Sequence, residues 1–183
     1  MTTEPLRLFF AVPAPAAVRA DLARALGRLH RDWRPVQPHQ MHLTLAFLGA
    51  VPADRLAVVL AAGQQAAARV GPFPLRLGDT DCFPNQQQPR VLYVQVAAPP
   101  LLRLASDLQA ALAEWADAKP FRPHLTLARQ RAAGRPPHHA MRFDHAWTVE
   151  SFDLIRSDLG HGRAEHTVLQ TFRLTGPAPA PAD

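Results

Sequence analysis

The sequence predicts a mixed fold of helices and strands (α+β) that is built by internal duplication. The pentapeptide His-Leu-Thr-Leu-Ala occurs twice, at His42–Ala46 and at His124–Ala128, although only nine of the 183 residues are histidine. A strand-like run precedes each copy at almost the same distance, from Arg7 in the first half and from Arg90 in the second. A block that recurs with its flanks indicates one structural unit used twice.

The elements of each half follow from residue type and spacing. A run of β-forming residues comes first and ends at prolines, at 7–12 in the first half and at 90–96 in the second. Apolar residues at spacings of three or four then predict a helix. These residues are Val18, Leu22, Leu26 and Leu29 in the first half, and Leu101, Leu104, Leu108 and Leu112 in the second. Each half therefore reads strand, helix, loop and motif strand.

Beyond the motifs the halves diverge but remain mixed. The pattern predicts a helix at 56–70, strands at 74–78, 149–155 and 167–174, and turns at 130–139. Three prolines after Gly176 predict a frayed tail over 176–183. No Gly- or Ser-rich linker separates the repeat halves, about 6–80 and 89–175, so we expect one domain over 1–183.

The charge balance has two interpretations. The chain carries 20 Lys and Arg against 15 Asp and Glu, a net charge of +5, and Lys119 is its one lysine. Such an excess of arginine suits phosphate or nucleic-acid binding, but biased codon usage explains it equally well. The single cysteine, Cys82, excludes an internal disulfide and favours a reducing compartment, so we expect a cytoplasmic protein.

The sequence contains no stretch that predicts a membrane anchor, because its charge-free apolar runs are much shorter than the ~20 residues that span a bilayer. Residues 8–18 follow Arg7 in the manner of a secretory leader. Glu4 and two prolines, Pro13 and Pro15, contradict that interpretation. We therefore expect neither a leader nor a membrane partner.

The repeated motif presents the same chemistry twice. On a strand, His42 and Thr44 point to one face and the leucines to the other, and His124 and Thr126 do the same. If approximate two-fold symmetry relates the halves, two imidazoles and two hydroxyls can face one ligand. The alternative is that each histidine only satisfies a local hydrogen bond, but recurrence of the whole pattern favours function.

Two histidines at one ligand suit general acid–base catalysis. The ordinary imidazole pKa near 6.5 allows one ring to be neutral and the other charged at physiological pH. Hydroxyls two residues away can stabilise the charge that develops on phosphoryl oxygens during attack on a phosphodiester. We expect neither a metal nor any other cofactor, because the sequence lacks paired cysteines, an HExxH motif and clustered aspartates.

At these positions the chain resembles the two-histidine (2H, HxTx) phosphoesterase superfamily, and within it the RNA 2',3'-cyclic phosphodiesterases, also called 2'-5' RNA ligases. The resemblance covers nearly the whole chain. Besides both motif copies it includes three flanking segments, 7–13, 121–129 and 155–160, and Arg34-Pro35 before the first motif. A single HxTx motif is weak evidence, but two at this spacing are strong.

The resemblance implies a bilobal, pseudo-two-fold fold with antiparallel sheets lining a central cleft and helices outside. It implies hydrolysis of RNA 2',3'-cyclic phosphate ends, or of small cyclic nucleotides, to 2'-phosphomonoesters, with a reversible ligation of RNA ends in RNA processing. By the same resemblance, His42 is the proton donor and His124 is the proton acceptor. Thr44 and Thr126 bind the phosphoryl oxygens. We expect a monomer.

Arg129 is a further candidate for binding the substrate's phosphate. It lies five residues after His124, so on an uninterrupted strand it would face away from the histidine. A bulge or turn must therefore precede it if it contacts phosphate. The alternative is a surface role.

The remaining reactive side chains receive structural interpretations. Five histidines are interpreted as solvated loop residues and Cys82 as a partly buried structural thiol. Three strand aromatics are expected to fill the core, although they could stack on a base if they lined the cleft. The histidines are His138, His139, His145, His161 and His166, and the aromatics are Phe9, Phe10 and Tyr93.

Two rival functions stay open at the level of sequence. One is hydrolysis of another phosphodiester, such as a 2'-5' oligoadenylate or a cyclic ADP-ribose phosphate. The other is a nucleotide-binding module without turnover, which has no need of both His–Thr pairs.

Overall fold

The computed structural model describes residues 4–132, 134–160 and 164–178. Within them the chain forms three α-helices and nine β-strands. The helices are α1 (Ala16–Leu26), α2 (Leu56–Ala67) and α3 (Pro99–Ala111). The strands are β1 (Leu6–Pro13), β2 (Trp33–Pro35), β3 (His42–Val51), β4 (Phe73–Phe83), β5 (Val91–Ala97), β6 (His124–Gln130), β7 (Ala146–Val149), β8 (Ser151–Leu159) and β9 (Ala164–Arg173).

The strands form two antiparallel sheets, which confirms the predicted α+β class. The four-stranded sheet has the order β3-β1-β8-β9, and the five-stranded sheet has the order β2-β6-β5-β4-β7. Each sheet contains one motif strand beside the first strand of its own half, β3 with β1 and β6 with β5. The duplication seen in the sequence is therefore a duplication of sheet topology.

The two halves exchange strands, which the sequence pattern does not show. β8 belongs to the second half but pairs with β1, and β4 belongs to the first half but pairs with β5. β2 also crosses, because it pairs with the second motif strand, β6. Each sheet thus contains strands from both halves, and neither half can complete its sheet alone.

The helices form where the apolar spacing predicts them. Val18, Leu22 and Leu26 of α1 are buried, and so are Leu101 and Leu104 of α3. Pro15 and Pro99 stand at the starts of these helices, where a proline costs no hydrogen bond. Each fully buried leucine contributes about 1.5–3 kcal/mol relative to an exposed one. One core cluster receives side chains from both sheets and all three helices.

Several predicted boundaries need correction. The helix at 56–70 ends at Ala67, and the strand expected over 149–155 is two strands, since β7 ends at Val149 and β8 begins at Ser151. The strand predicted at 74–78 is β4, which is longer and covers Phe73–Phe83. The strand predicted at 167–174 is β9, which begins earlier and covers Ala164–Arg173. These ends depend on pairing with neighbouring strands, which local composition does not encode.

The first residues of the predicted frayed tail, Gly176 and Pro177, are instead held by backbone hydrogen bonds. Gly176 donates a backbone hydrogen bond to the Val70 carbonyl oxygen at 3.2 Å, and Gly71 donates one to the Pro177 carbonyl oxygen at 2.9 Å. A side chain at Gly176 would collide with the backbone of Arg69 and Val70, so only glycine permits this close approach. Residues 179–183 lie outside the described residues.

Among the residues that the structure describes, no helix has the length and hydropathy needed to cross a membrane.

Candidate active site

The two motif strands place histidine and threonine on one face and leucine on the other. In β3, His42 and Thr44 are half-buried while Leu43 and Leu45 are buried. The burial pattern of β6 is the same over its first five residues. The strand geometry predicted from the sequence is therefore confirmed in both copies.

A β-bulge follows the threonine in each motif strand. In the first sheet Ala11 pairs with Thr44 and Phe10 with Ala46, which leaves Leu45 without a partner residue. In the second sheet Tyr93 pairs with Thr126 and Leu92 with Ala128, which leaves Leu127 without one. An extra residue reverses the alternation of faces.

Arg129 faces the histidines because of this bulge. Five residues after His124 it returns to the histidine face, where it is exposed. The condition stated for a phosphate contact, an intervening bulge, is met. The Arg129 charge lowers the pKa of both His42 and His124, so this guanidinium lies near both rings. The equivalent residue of the first copy is Phe47, whose exposed ring carries the Arg7 guanidinium 4.8 Å from its centroid.

His124 is oriented by its own strand end. Its Nδ1 donates a hydrogen bond to the Arg122 carbonyl oxygen at 2.6 Å. A carbonyl oxygen can only accept, so in the neutral ring the proton is on Nδ1 and Nε2 carries the free lone pair. The rings of Tyr93 and Phe83 pack edge-on against the imidazole, at 5.4 and 5.1 Å between centroids. Burial lowers the pKa of His124, and the Arg129 and Arg122 charges lower it further.

His42 has a matching environment on the other sheet. Its ring packs against Phe9 at 5.1 Å between centroids, and the Gln40 backbone, two residues earlier, acts to raise its pKa, as the Arg122 backbone does for His124. Burial lowers the pKa of His42 from 6.5 to about 4, and the charges of His166, Arg129 and His124 also act downward. The strands that carry the two imidazoles, β3 and β6, contact each other, so both motif faces lie at one cleft.

His166 is the main site residue that the sequence analysis missed. It lies on β9, half-buried, with its ring 5.6 Å from that of His42 and 5.1 Å from that of Phe9. Gln40 donates a side-chain hydrogen bond to the Ala164 carbonyl oxygen at 2.5 Å, which holds the start of β9 beside the first motif. The interpretation of His166 as a solvated loop residue was wrong. No sequence signal marks it, because the contact arises only where β9 and the segment before β3 meet.

The other histidines differ from the expected solvated loop residues in their exposure and contacts. His138, His139 and His145 are half-buried rather than fully solvated, and His145 lies 3.6 Å from the Asp21 carboxylate. His161 lies outside the described residues. None of the three described ones contacts His42 or His124.

Cys82 and Phe10 have the expected structural roles, whereas the expectation that Phe9 and Tyr93 fill the core was wrong, because both lie outside the main core cluster. Cys82 is buried, and desolvation raises the pKa of its thiol to about 11, so it is a poor nucleophile. Phe10 is a core residue. Phe9 and Tyr93 face the cleft but are nearly buried beneath the histidine rings, so they support the histidines.

Among the described residues no group of three or more His, Cys, Asp or Glu side chains is arranged to hold a metal ion. The two motif strands offer two imidazoles, two hydroxyls and one guanidinium to this cleft, and β9 adds the imidazole of His166. Proton donation, proton acceptance and anion stabilisation are the chemistry that such groups can perform.

Comparison with known proteins agrees with this geometry. The profile of the family described as LigT like Phosphoesterase matches residues 12–93, which include the first motif copy. An RNA 2',3'-cyclic phosphodiesterase of Thermus thermophilus is 43% identical over 185 residues, which cover 93% of this chain and 91% of that protein. One from Escherichia coli is 35% identical and covers 94% of this chain and 99% of its own. These relatives span both motifs.

Solved structures show the same fold. A crystal structure from Thermus thermophilus superposes with a TM-score of 0.86 at 42% identity, covering 93% of this chain and 99% of its own. The LigT protein of Escherichia coli in complex with 3'-AMP has a TM-score of 0.78 at 31% identity and covers 94% of this chain and 99% of its own. The α+β fold that the resemblance implies is therefore confirmed.

Proposed function

Because the chain belongs to the LigT-like phosphoesterase family, we propose that it hydrolyses RNA 2',3'-cyclic phosphate ends to 2'-phosphomonoesters. The observation that carries the proposal is the pair of HxTx strands whose histidines face one cleft, together with relatives that bear this activity in their names. Small 2',3'-cyclic nucleotides contain the same reacting group and are included. One chain supplies both histidines, so we propose a monomeric enzyme. We also propose that it acts on RNA in the cytoplasm.

The proposed reaction transfers one proton at each histidine. His124 Nε2 accepts a proton from the attacking water as the water oxygen bonds to phosphorus. The bond between phosphorus and O3' breaks, and His42 donates a proton to O3', which leaves a 2'-phosphomonoester and a 3'-hydroxyl. Replacing water with the 5'-hydroxyl of a second RNA gives a 2'-5' linkage, and its reversal is cleavage.

Three groups act on the phosphoryl oxygens or on the charge that develops there. The Thr44 and Thr126 hydroxyls, on the histidine face of each strand, donate hydrogen bonds to them. The Arg129 guanidinium, on the histidine face of β6, stabilises the same charge. The negative phosphate also favours the protonated form of His42, which burial otherwise opposes.

The alternatives fit the site less well. A module that only binds nucleotides does not need a free Nε2 on a buried imidazole opposite a second histidine. A 2'-5' oligoadenylate or a cyclic ADP-ribose phosphate contains a phosphodiester, but the names of the relatives favour the 2',3'-cyclic phosphate.

A substrate panel tests the proposal. The enzyme is assayed in EDTA with an oligoribonucleotide ending in a 2',3'-cyclic phosphate, a nucleoside 2',3'-cyclic phosphate, a 3',5'-cyclic nucleotide and a linear 2'-5' dinucleotide. We expect turnover of the first two substrates. The 3',5'-cyclic nucleotide should turn over at least about 10²-fold more slowly, because its cyclic phosphate joins O3' to O5' and so places the leaving oxygen in a different position. Preference for the 3',5'-cyclic nucleotide, or activity that requires a divalent ion, contradicts the proposal.

The pH dependence of kcat/KM follows from the histidine pKa values in the free enzyme. The acid, His42, is lost as pH rises through its pKa of about 4, and the base, His124, is lost as pH falls through a pKa that also lies below 6.5. We therefore expect kcat/KM to be greatest at a pH below 6.5. The alkaline limb of kcat should lie higher, since bound phosphate favours protonated His42.

A variant of the neighbouring histidine tests the cause of this profile. His166→Phe keeps an aromatic ring beside His42 but removes a titrating group whose charge lowers the His42 pKa. We expect kcat/KM on the alkaline side of the optimum to rise above the wild-type value, whereas His30→Ala, an exposed control, leaves it unchanged. An optimum above pH 7 in the wild-type enzyme contradicts the assignment.

A further inference from the structure

Arg34 is a second arginine on the strand next to Arg129. It lies at the centre of the short strand β2, and its register partner on β6 is Arg129. Residues directly opposite on antiparallel strands share a face, with Cβ atoms about 4.5–5.5 Å apart. Trp33, the preceding residue, is buried while Arg34 is exposed, so the Arg34 side chain lies on the same face as Arg129.

Within the part of the chain that the structure describes, the two guanidinium groups have no counter-charge. Among the described residues neither arginine lies within 4.0 Å of a carboxylate, although Arg24, Arg142 and Arg156 elsewhere do. Like charges directly opposite on a sheet destabilise it, and arginine cannot relieve the repulsion by losing its proton. Two adjacent uncompensated guanidiniums at a cleft therefore indicate an anionic ligand with more than one charge.

The position of the pair relative to the histidines defines that ligand. Arg129 is near enough to both imidazoles to lower the pKa of each, so it is placed for the reacting phosphate. β2 is the edge strand of the five-stranded sheet, next to β6. Arg34 therefore lies one strand further from the histidines than Arg129 does, and neighbouring strands are about 4.8 Å apart. A second phosphate of the same substrate can therefore contact Arg34 while the first contacts Arg129.

We propose that Arg34 binds the phosphate that links the terminal nucleotide of an RNA chain to the preceding one. The planar guanidinium matches two phosphate oxygens at once, and Arg129 beside it holds the cyclic phosphate. The inference rests on the proposed function and deepens it by assigning a residue to a second phosphate of the RNA substrate. The enzyme favours the end of an RNA chain over a mononucleotide, because only a chain supplies the second phosphate.

A pair of matched substrates tests the subsite. kcat/KM is measured for a nucleoside 2',3'-cyclic phosphate and for the dinucleotide that carries the same cyclic end. Arg34→Gln should lower kcat/KM about tenfold for the dinucleotide, as expected for loss of a charge-assisted hydrogen bond, and leave the mononucleotide within about twofold. Arg103→Gln, an exposed position on α3, is the control and should change neither.

Two further measurements separate phosphate binding from a structural role. In the wild type, log(kcat/KM) for the dinucleotide should fall with log salt, and Arg34→Gln should reduce that slope by about 0.7. The variant should unfold at the same temperature or higher, because the substitution removes a like-charge contact. Arg34→Lys should keep most of the salt slope but not the full rate, since lysine binds phosphate as a point charge.

The outcomes are distinguishable. Equal losses on both substrates, no loss on either, or a lower melting temperature for Arg34→Gln overturn the subsite. Turnover of the mononucleotide by the wild-type enzyme tests the proposed function separately, so failure of the subsite leaves that function standing. Equal wild-type kcat/KM values for the mononucleotide and the dinucleotide, with no dependence on salt, also overturn the Arg34 subsite. That result favours biased codon usage as the origin of the arginines.

Discussion

His42→Ala and His124→Ala are each expected to lower kcat by at least about 10²-fold, because a positioned general acid or base contributes roughly 10²–10⁴-fold. Each ring also packs against an aromatic residue, Phe9 or Tyr93, so the variants are checked for folding by circular dichroism and thermal melting. His42→Gln and His124→Gln retain more of the side-chain volume and should lose as much activity. His30→Ala, an exposed histidine away from the cleft, should remain active.

The double variant of His42 and His124 adds a sharper test. The two imidazoles act in one proton-transfer sequence, so their combined loss should be much smaller than the product of the single losses. Near-normal turnover in either folded single variant would falsify the assignment. A fully multiplicative double variant would show that the two histidines act independently.

Thr44→Val and Thr126→Val are expected to lower kcat through a different step. Each removes a hydroxyl aimed at the phosphoryl oxygens, and a donor of this kind contributes about 2.7–4 kcal/mol in the transition state, or 10²–10³-fold in rate. Valine keeps the β-branched shape that suits a strand, so the fold should survive. Proton transfer stays in place, so the pH–rate profile should keep its shape.

A matched control separates these hydroxyls from strand threonines in general. Thr148 is exposed on β7, at the edge of the five-stranded sheet away from β6, and Thr148→Val should leave kcat unchanged. Full activity in both motif variants would mean that the threonines serve strand packing. The catalytic constellation would then consist of the histidines and Arg129.

Much of the site could be predicted from the sequence because its information is local. Strand alternation alone placed His42 and Thr44 on one face, and the repeat placed His124 and Thr126 on the equivalent face. The helices α1 and α3 followed from apolar spacing. These features depend on residues within a few positions of each other.

The features that escaped prediction depend on long-range pairing. Arg129 could be placed only conditionally, because the bulge at Leu127 becomes visible from the register of β6 against β5. His166 is 124 positions from His42 and reaches it because β9 pairs with β8 and β8 pairs with β1. The exchange of β4 and β8 between the halves is equally invisible to local patterns.

The product of the reaction tests the central claim most directly. An oligoribonucleotide ending in a 2',3'-cyclic phosphate is incubated with the enzyme in EDTA and ¹⁸O-labelled water and followed by ³¹P NMR and mass spectrometry. If His42 donates a proton to O3' and His124 activates water, the product is a 2'-phosphomonoester that contains one oxygen from the solvent. A 3'-phosphomonoester, or hydrolysis that appears only after a divalent ion is added, would contradict the account.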